Sequence, residues 1–306
     1  MMSLAMMLNV HAPITPKQEG VLLSVSILSD THIDARLPLG RLLLARALDD
    51  ISAGGAVDAA VVAGDMTNYG DGESLHAFYE LFDKHCGGPD WVIAPGNHDI
   101  GHVEHVTQQA ARQRLIDTYN AYTGADTNDI YYSISVNGFR FIVLGVQSDD
   151  SWDIPDIGAD QLAFLDAQLA EATANGKPAF VVCHWPVEGA NGQSVIWEDG
   201  SMGSDNSVKV RAVLEKYSNV FFISGHVHTG INGKLTQTLF GFSCVEKKTG
   251  VTYVNLPTFL LVNRYGIPWG GMGFQMEVYE CRVLFRARNY LTSKWYPLYE
   301  YAVPLQ

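Results

Sequence analysis

Five short stretches of the chain end in side chains that can donate lone pairs to one site. They are "SDTH" (Asp30, His32), "AGD" (Asp65), "GNHD" (Asn97, His98), "VVCH" (His184) and "SGHVH" (His226, His228). Each follows an apolar run that reads as a buried strand. Ligands of open α/β sheets gather beyond the carboxyl ends of the strands. Five strand ends would therefore bring carboxylate, amide and imidazole groups to one cleft. Seven of these groups are candidate metal donors: Asp30, His32, Asp65, Asn97, His184, His226 and His228. That is too many for one tetrahedral or octahedral ion, and it suits two ions that share a carboxylate. Mixed imidazole and carboxylate ligation favours Zn, Fe, Mn or Co over Ca or Mg. Gly64, Gly96 and Gly225 each precede a donor and would let the backbone turn and approach closely there.

The elements that must position these groups alternate. "VLLSVSILSD", "VDAAVVAGD" and "WVIAPGNHD" read as strands. Between them, "LGRLLLARALDDISA" carries Leu39, Leu42, Leu43, Ala47, Leu48 and Ile51 at helical spacing, and "SLHAFYELFDKH" is a second helix. "VTQQAARQRLIDTYNAY" is a third. This βαβαβα order calls for a largely parallel sheet with helices on its outer face. In "YYSISVNGFRFIVLGV", Asn137-Gly138 between two strand-like runs predicts a type I′ hairpin. Helix, strand, helix and strand follow up to "NVFFISGH", and from Lys234 onward the pattern is nearly all β. No internal repeat or linker interrupts the chain.

The chain has 306 residues, 47% of them apolar, and a formal net charge of −13. So acidic a surface repels a phosphate backbone, which argues against a nucleic-acid polymer as partner. No uncharged apolar run reaches membrane-spanning length. The four cysteines show no paired spacing and read as free thiols of a reducing compartment. Residues 1–20 are rich in methionine but lack a basic n-region and a cleavage site, so they read as a loosely held extension, not a signal peptide. Residues 21–306 are expected to form a single domain that stays in the cytoplasm.

In their order along residues 24 to 230, D-x-H, GD, GNHD, V-x-x-H and GHxH resemble the motifs of the calcineurin-like metallophosphoesterase superfamily. The resemblance implies an α/β fold, a four-layer α/β/β/α sandwich with two central mixed sheets. It implies two transition-metal ions of the Mn, Fe or Zn type. Asp30, His32 and His228 would hold the first ion, Asn97, His184 and His226 the second, and Asp65 would bridge them. His98 would be the catalytic general acid, and Asp99 follows it as in many members. The implied activity is hydrolysis of a phosphodiester or phosphomonoester of a small phosphorylated substrate by a water activated between the ions. The alternative is a non-catalytic metal-binding scaffold that recognises a protein partner. Such scaffolds tend to lack the GNH histidine or several ligands, and here none of these is missing.

Departures narrow the resemblance. Purple acid phosphatases carry GDxxY, whereas Asn68 stands at that position and Tyr69 is one residue late. Phosphoprotein phosphatases carry GDxxDRG, and "GDMTNYG" has no Asp-Arg pair. That stretch is more similar to cyclic-nucleotide and glycerophosphodiester phosphodiesterases. Those usually place a histidine or asparagine after the fourth-motif histidine, where this chain has Trp185.

The remaining candidates carry less. His11, His76 and His85 read as surface or core-edge residues, and His102 and His105 as solvated side chains near a helix start. Trp185, Trp197, Tyr265 and Trp269 read as packing residues that could also shape the pocket. The acidic run "SDDSWDIPD" reads as a solvated loop.

Overall fold

The computed structural model describes residues 10–100, 106–147, 153–268 and 270–306. The elements run β1 (Val10–His11), β2 (Leu23–Leu28), α1 (Pro38–Ser52), β3 (Ala59–Ala63), α2 (Gly72–His85), β4 (Asp90–Ala94), α3 (Asn97–Ile100) and α4 (Gln108–Thr123). There follow β5 (Tyr132–Val136), β6 (Phe139–Val143), α5 (Ala159–Thr173), β7 (Ala179–Val182), α6 (Gln193–Ile196), α7 (Ser204–Leu214) and β8 (Val220–Ser224). The chain closes with α8 (Lys234–Phe240), β9 (Val245–Lys248), β10 (Val251–Asn255), β11 (Met272–Tyr279), β12 (Arg282–Asn289) and β13 (Lys294–Pro304).

Two mixed sheets form the centre, ordered β1-β13-β12-β11-β2-β3-β4 and β5-β6-β7-β8-β10-β9. Strands β2, β3 and β4 are parallel to one another, as are β6, β7, β8 and β10. The strand period of two sorts the side chains. Leu23, Val25, Ile27, Ala59, Val61 and Ala63 face the second sheet, where they meet Phe141, Val143, Phe180, Val182, Phe221 and Ile223. Leu28, Ala60 and Val62 belong to the separate core beneath the helices. Helices α1, α2 and α4 pack in sequence with one another, and α5 packs on α7 and on β6 and β7. The result is the four-layer α/β/β/α sandwich.

Local chemistry fixes several boundaries. Asn137 and Gly138 take φ of 49° and 77°, as a type I′ turn between β5 and β6 requires. Asp71 caps α2 by accepting from the Ser74 amide, and Gly124 closes α4 in the left-handed conformation.

The structure differs from the sequence reading in four places. The third strand ends at Ala94, and Asn97–Ile100 is a turn of helix. The region after Lys234 includes the seven-residue helix α8 before its strands begin. Leu39 and Leu42, counted in the helical spacing of α1, face outward at 56% and 67% exposure, while Leu44, Ala47, Leu48 and Ile51 supply the buried face. The fourth difference is at the start of the chain. Residues 10–20, expected to be loose, are held: β1 pairs with β13, Ile14 is buried, and the Lys17 amide donates to Glu277. Residues 1–9 lie outside the described residues. No described helix is long and apolar enough to cross a membrane.

Candidate metal centre

The loops that leave β2, β3, β4, β7 and β8 meet at one edge of the two sheets. The first two are laced together: the Asp30 amide donates to Gly64 O, the His32 amide to Asp65 O, and Thr31 Oγ1 to Met66 O. Asp30, His32, Asp65, His226 and His228 all have positive φ, between 44° and 70°. Such backbone costs of order 1–3 kcal/mol per residue and concentrates at functional sites. Two glycines permit the crowding. A Cβ at Gly64 would strike the His184 ring, and one at Gly96 would strike the Asp65 carboxylate.

The side chains form two overlapping groups, Asp30, His32, Asp65 and His228 on one side and Asp65, His184 and His226 on the other, each with donor atoms within 4.8 Å. Asp65 belongs to both. In the first group His228 Nε2 lies 3.0 Å from Asp30 Oδ1 and His32 Nε2 lies 3.5 Å from Asp65 Oδ2. In the second, His184 Nε2 lies 3.2 Å from Asp65 Oδ2, and His226 Nδ1 is 3.3 Å from His184 Nε2. His184 Nδ1 donates to Ala63 O at 2.7 Å, which orients the ring and turns Nε2 toward the cluster. Asn97 heads α3 and is buried.

Three buried atoms here have no hydrogen-bond partner: Asp30 Oδ2, Asn97 Oδ1 and His226 Nε2. Buried polar atoms are normally satisfied, and an unsatisfied one costs about 1–3 kcal/mol. All three belong to the donor set expected from the sequence. His226 turns Nδ1 to the cluster and Nε2 toward Asp153, so the donor chemistry and the orphaned oxygens of Asp30 and Asn97 are what fit two cations.

Electrostatics agree. Burial alone would raise the Asp30 carboxyl, but its pairing with His228 and the nearness of His184 bring it down to about 2. Asp65 opposes the same burial through His184 and His32 and lies well below the usual carboxylate range. Burial pushes His32 down to about 4 and His226 to about 3, so both rings are neutral near pH 7 with lone pairs available. His184 is lifted by Asp65 against its burial to about 9. His228 is raised too, by Asp30 against its burial, so positive charge is favoured on rings that face two ionised carboxylates.

His98 is half-buried beside the cluster, its ring 4.7 Å from that of His32. Its amide donates to Asp65 Oδ1 at 3.0 Å, and its Nδ1 lies 2.9 Å from Asn68 O.

Four neighbours escaped the sequence reading or had no role in it. Asp99 is fully buried and accepts from the amides of Met66, Thr67 and Gly96 and from Thr67 Oγ1, at 2.8–3.2 Å. It ties the loop of Asn97 and His98 to the loop of Asp65. Burial and the charge of Asp65 push its own carboxyl up to about 6. Trp197 stacks on His226 at 4.9 Å, and the Arg264 guanidinium lies 4.1 Å over the other partner in that column, the Trp197 ring. Asp153, from the acidic run, places Oδ1 3.8 Å from His226 Nε2. Asp99 carried a signal in sequence, its place inside "GNHD", and Trp197 was among the aromatics that could shape the pocket, while Arg264 carried none.

Residues 23–230 match the family model of calcineurin-like phosphoesterases. The chain belongs to that family. No curated protein matches it by sequence. Among solved structures, this phosphoesterase is similar to a dimetal phosphatase from Danio rerio, at 15% identity and a TM-score of 0.66, over 94% of this chain and 100% of that one. It is also similar to a purple acid phosphatase from yellow lupin (Lupinus luteus) seeds, at 14% identity and a TM-score of 0.58, over 96% of this chain and 55% of that one. At these identities the likeness concerns the fold.

The other sequence candidates, Trp185 apart, fall elsewhere. His76 and His11 are exposed, and His85 pairs with Asp49 at 2.8 Å. Trp185 is fully buried behind His184 and donates to Asp153 O. Tyr265 is 59% exposed. Cys86, Cys183 and Cys244 are buried and Cys281 exposed, all as free thiols. His102, His105, Trp269 and residues 148–152 lie outside the described residues.

Proposed function

We propose that this phosphoesterase is a dinuclear metal enzyme that hydrolyses a phosphodiester or phosphomonoester of a small organic substrate. Asp30, His32 and His228 hold one ion, Asn97, His184 and His226 the other, and Asp65 serves both. The observation that carries this reading is the pair of donor groups sharing Asp65, with Asp30 Oδ2 and Asn97 Oδ1 buried and unsatisfied beside it. When bound, two such ions lower the pKa of a water and neutralise charge on phosphoryl oxygens.

The protein's own groups do the rest. His98 stands on the wall of the same cavity as His32 and His228 and gives a proton to the leaving oxygen. Its Nδ1 donates to Asn68 O, which fixes the ring so that the other nitrogen addresses the substrate side. Asp99 holds the two loops that set the spacing between His98 and Asp65. Trp197 and Trp185 close off the His226 side from water. The net charge of −13 supports a small substrate over a nucleic-acid polymer.

The test is metal analysis of the purified protein together with hydrolysis of bis-p-nitrophenyl phosphate, with and without added Mn²⁺. Two bound equivalents and metal-dependent turnover are expected. A protein that binds two ions without turnover on a panel of diesters and monoesters would be the scaffold instead.

A further inference from the structure

A cavity of about 490 Å³ opens from the His32 and His228 side of the centre. It falls within the range of small-molecule sites, about 300–1,000 Å³. His32, His98 and His228 form part of its lining, so whatever fills it lies against the reacting atoms. The rest of its lining is largely apolar. Leu37, Leu39 and Leu43 come from the start of α1, and Phe259, Leu260 and Leu261 from the segment after β10. Leu37, Leu39 and Leu261 are 59%, 56% and 43% exposed. A lone exposed leucine needs no explanation. Here several line one cleft together with histidines.

Charge is scarce in the same cavity. Among the described residues no lysine or arginine lines it, and apart from the histidines the only ionisable one in its lining is Asp34. Asp34 is neutralised by a two-pronged pair with Arg36, at 2.8 Å on each prong. A second phosphate or a carboxylate on the substrate would find no countercharge there. An apolar group would displace water from the leucines.

We propose that this cavity is the subsite for an uncharged, apolar organic group of the phosphoester, an alkyl chain or an aromatic ring, seated among Leu37, Leu39, Leu43, Phe259, Leu260 and Leu261. The proposal rests on the phosphoesterase reading above and narrows its substrate class. It predicts discrimination through affinity. Contacts to an apolar group that are equal in the substrate and the transition state lower KM and leave kcat nearly unchanged.

Alkylphosphonates test it without turnover, because their carbon–phosphorus bond is not a phosphoester. Methyl-, butyl-, hexyl- and phenylphosphonate are titrated calorimetrically into the Mn-loaded protein. Each buried methylene should tighten binding up to about fourfold. Hexylphosphonate should therefore bind at least about 30-fold more tightly than methylphosphonate, allowing for partial burial. Phenylphosphonate separates the two sources: tighter binding than butylphosphonate marks a ring, weaker binding a chain. Leu39→Gln and Leu261→Gln, at exposed positions, should flatten the series while leaving methylphosphonate affinity near wild type. Equal affinity for methyl- and hexylphosphonate would remove the apolar subsite and leave the phosphoesterase reading intact. Failure of every phosphonate to bind would remove that reading, and this proposal with it.

Discussion

Arg288 on β12 and Asp30 after β2 are both charged and both wholly buried, but their surroundings differ. Arg288 donates through Nε and Nη2 to Asp50 of α1, at 2.7 and 2.8 Å, and through Nη1 to Ala12 O. Its guanidinium lies 4.5 Å from the Trp295 ring. Nothing there calls for a further partner. Asp30 sits on left-handed backbone, touches His228 and leaves Oδ2 unsatisfied. Arg288, at the antiparallel end of the first sheet, has its charge closed internally, while the parallel end leaves donors directed at a common point. A buried charge whose partners are complete holds the fold together. One whose partners are incomplete is held by the fold for something else.

Substitutions should separate the two. The largest effect is expected at Asp65. Asp65→Ala should lower bound metal at both positions and depress activity well beyond the roughly 10–100-fold that follows loss of a supporting partner. His228→Ala should mainly perturb the first position. Two full equivalents of metal in Asp65→Ala protein would refute its shared role.

His98→Ala should come next and should leave metal content unchanged. An alkoxide needs a proton to leave and p-nitrophenolate does not. An alkyl phosphodiester should therefore slow more than its p-nitrophenyl analogue, by a margin approaching the 10²–10⁴-fold of general-acid catalysis. Equal losses on both substrates would make His98 a phosphoryl-binding group.

At the other end of the sheet the readout changes. Arg288→Met strands the Asp50 carboxylate and should cost about 3–5 kcal/mol in urea denaturation. The folded fraction should keep its metal content. Adding Asp50→Leu should recover much of the loss, because an apolar pair needs no compensation. Metal loss in the folded Arg288→Met protein would mean that the two regions are coupled.

The smallest effect is expected at Asp99, which touches both sides of the comparison: its hydrogen bonds are complete, yet they serve the centre. Asp99→Asn keeps the volume but weakens the acceptors for Met66, Thr67 and Gly96, and should reduce metal affinity or activity about 10–100-fold. Wild-type values for both would limit Asp99 to a role in the fold.

The convergence of Asp30, His32, Asp65, His184, His226 and His228 was legible because each ends or follows an apolar strand, and parallel strands share one carboxyl edge. The layers were legible for a related reason, since periods of two and 3.6 survive in sequence. What escaped depends on tertiary contact. Val10 and His11 become a strand only because β13 offers an edge, in a stretch with no strand pattern of its own. Helix α8 is two turns long, too short for periodicity to declare itself. The column of His226, Trp197 and Arg264 joins residues dozens of positions apart. Leu39 of α1 fitted the helical spacing but belongs to the cavity rim.

The left-handed backbone under five of the proposed donors also restricts how this centre can evolve. Besides glycine, asparagine, aspartate and histidine enter that region most readily. At Asp30, His32, Asp65, His226 and His228, an exchange within that trio changes the charge and softness of the site while the loops keep their course. Valine, isoleucine or threonine would pull the loop away from its φ. The lineage can therefore retune which ion it prefers through a three-letter alphabet, one position at a time, and is barred from most other routes by its main chain.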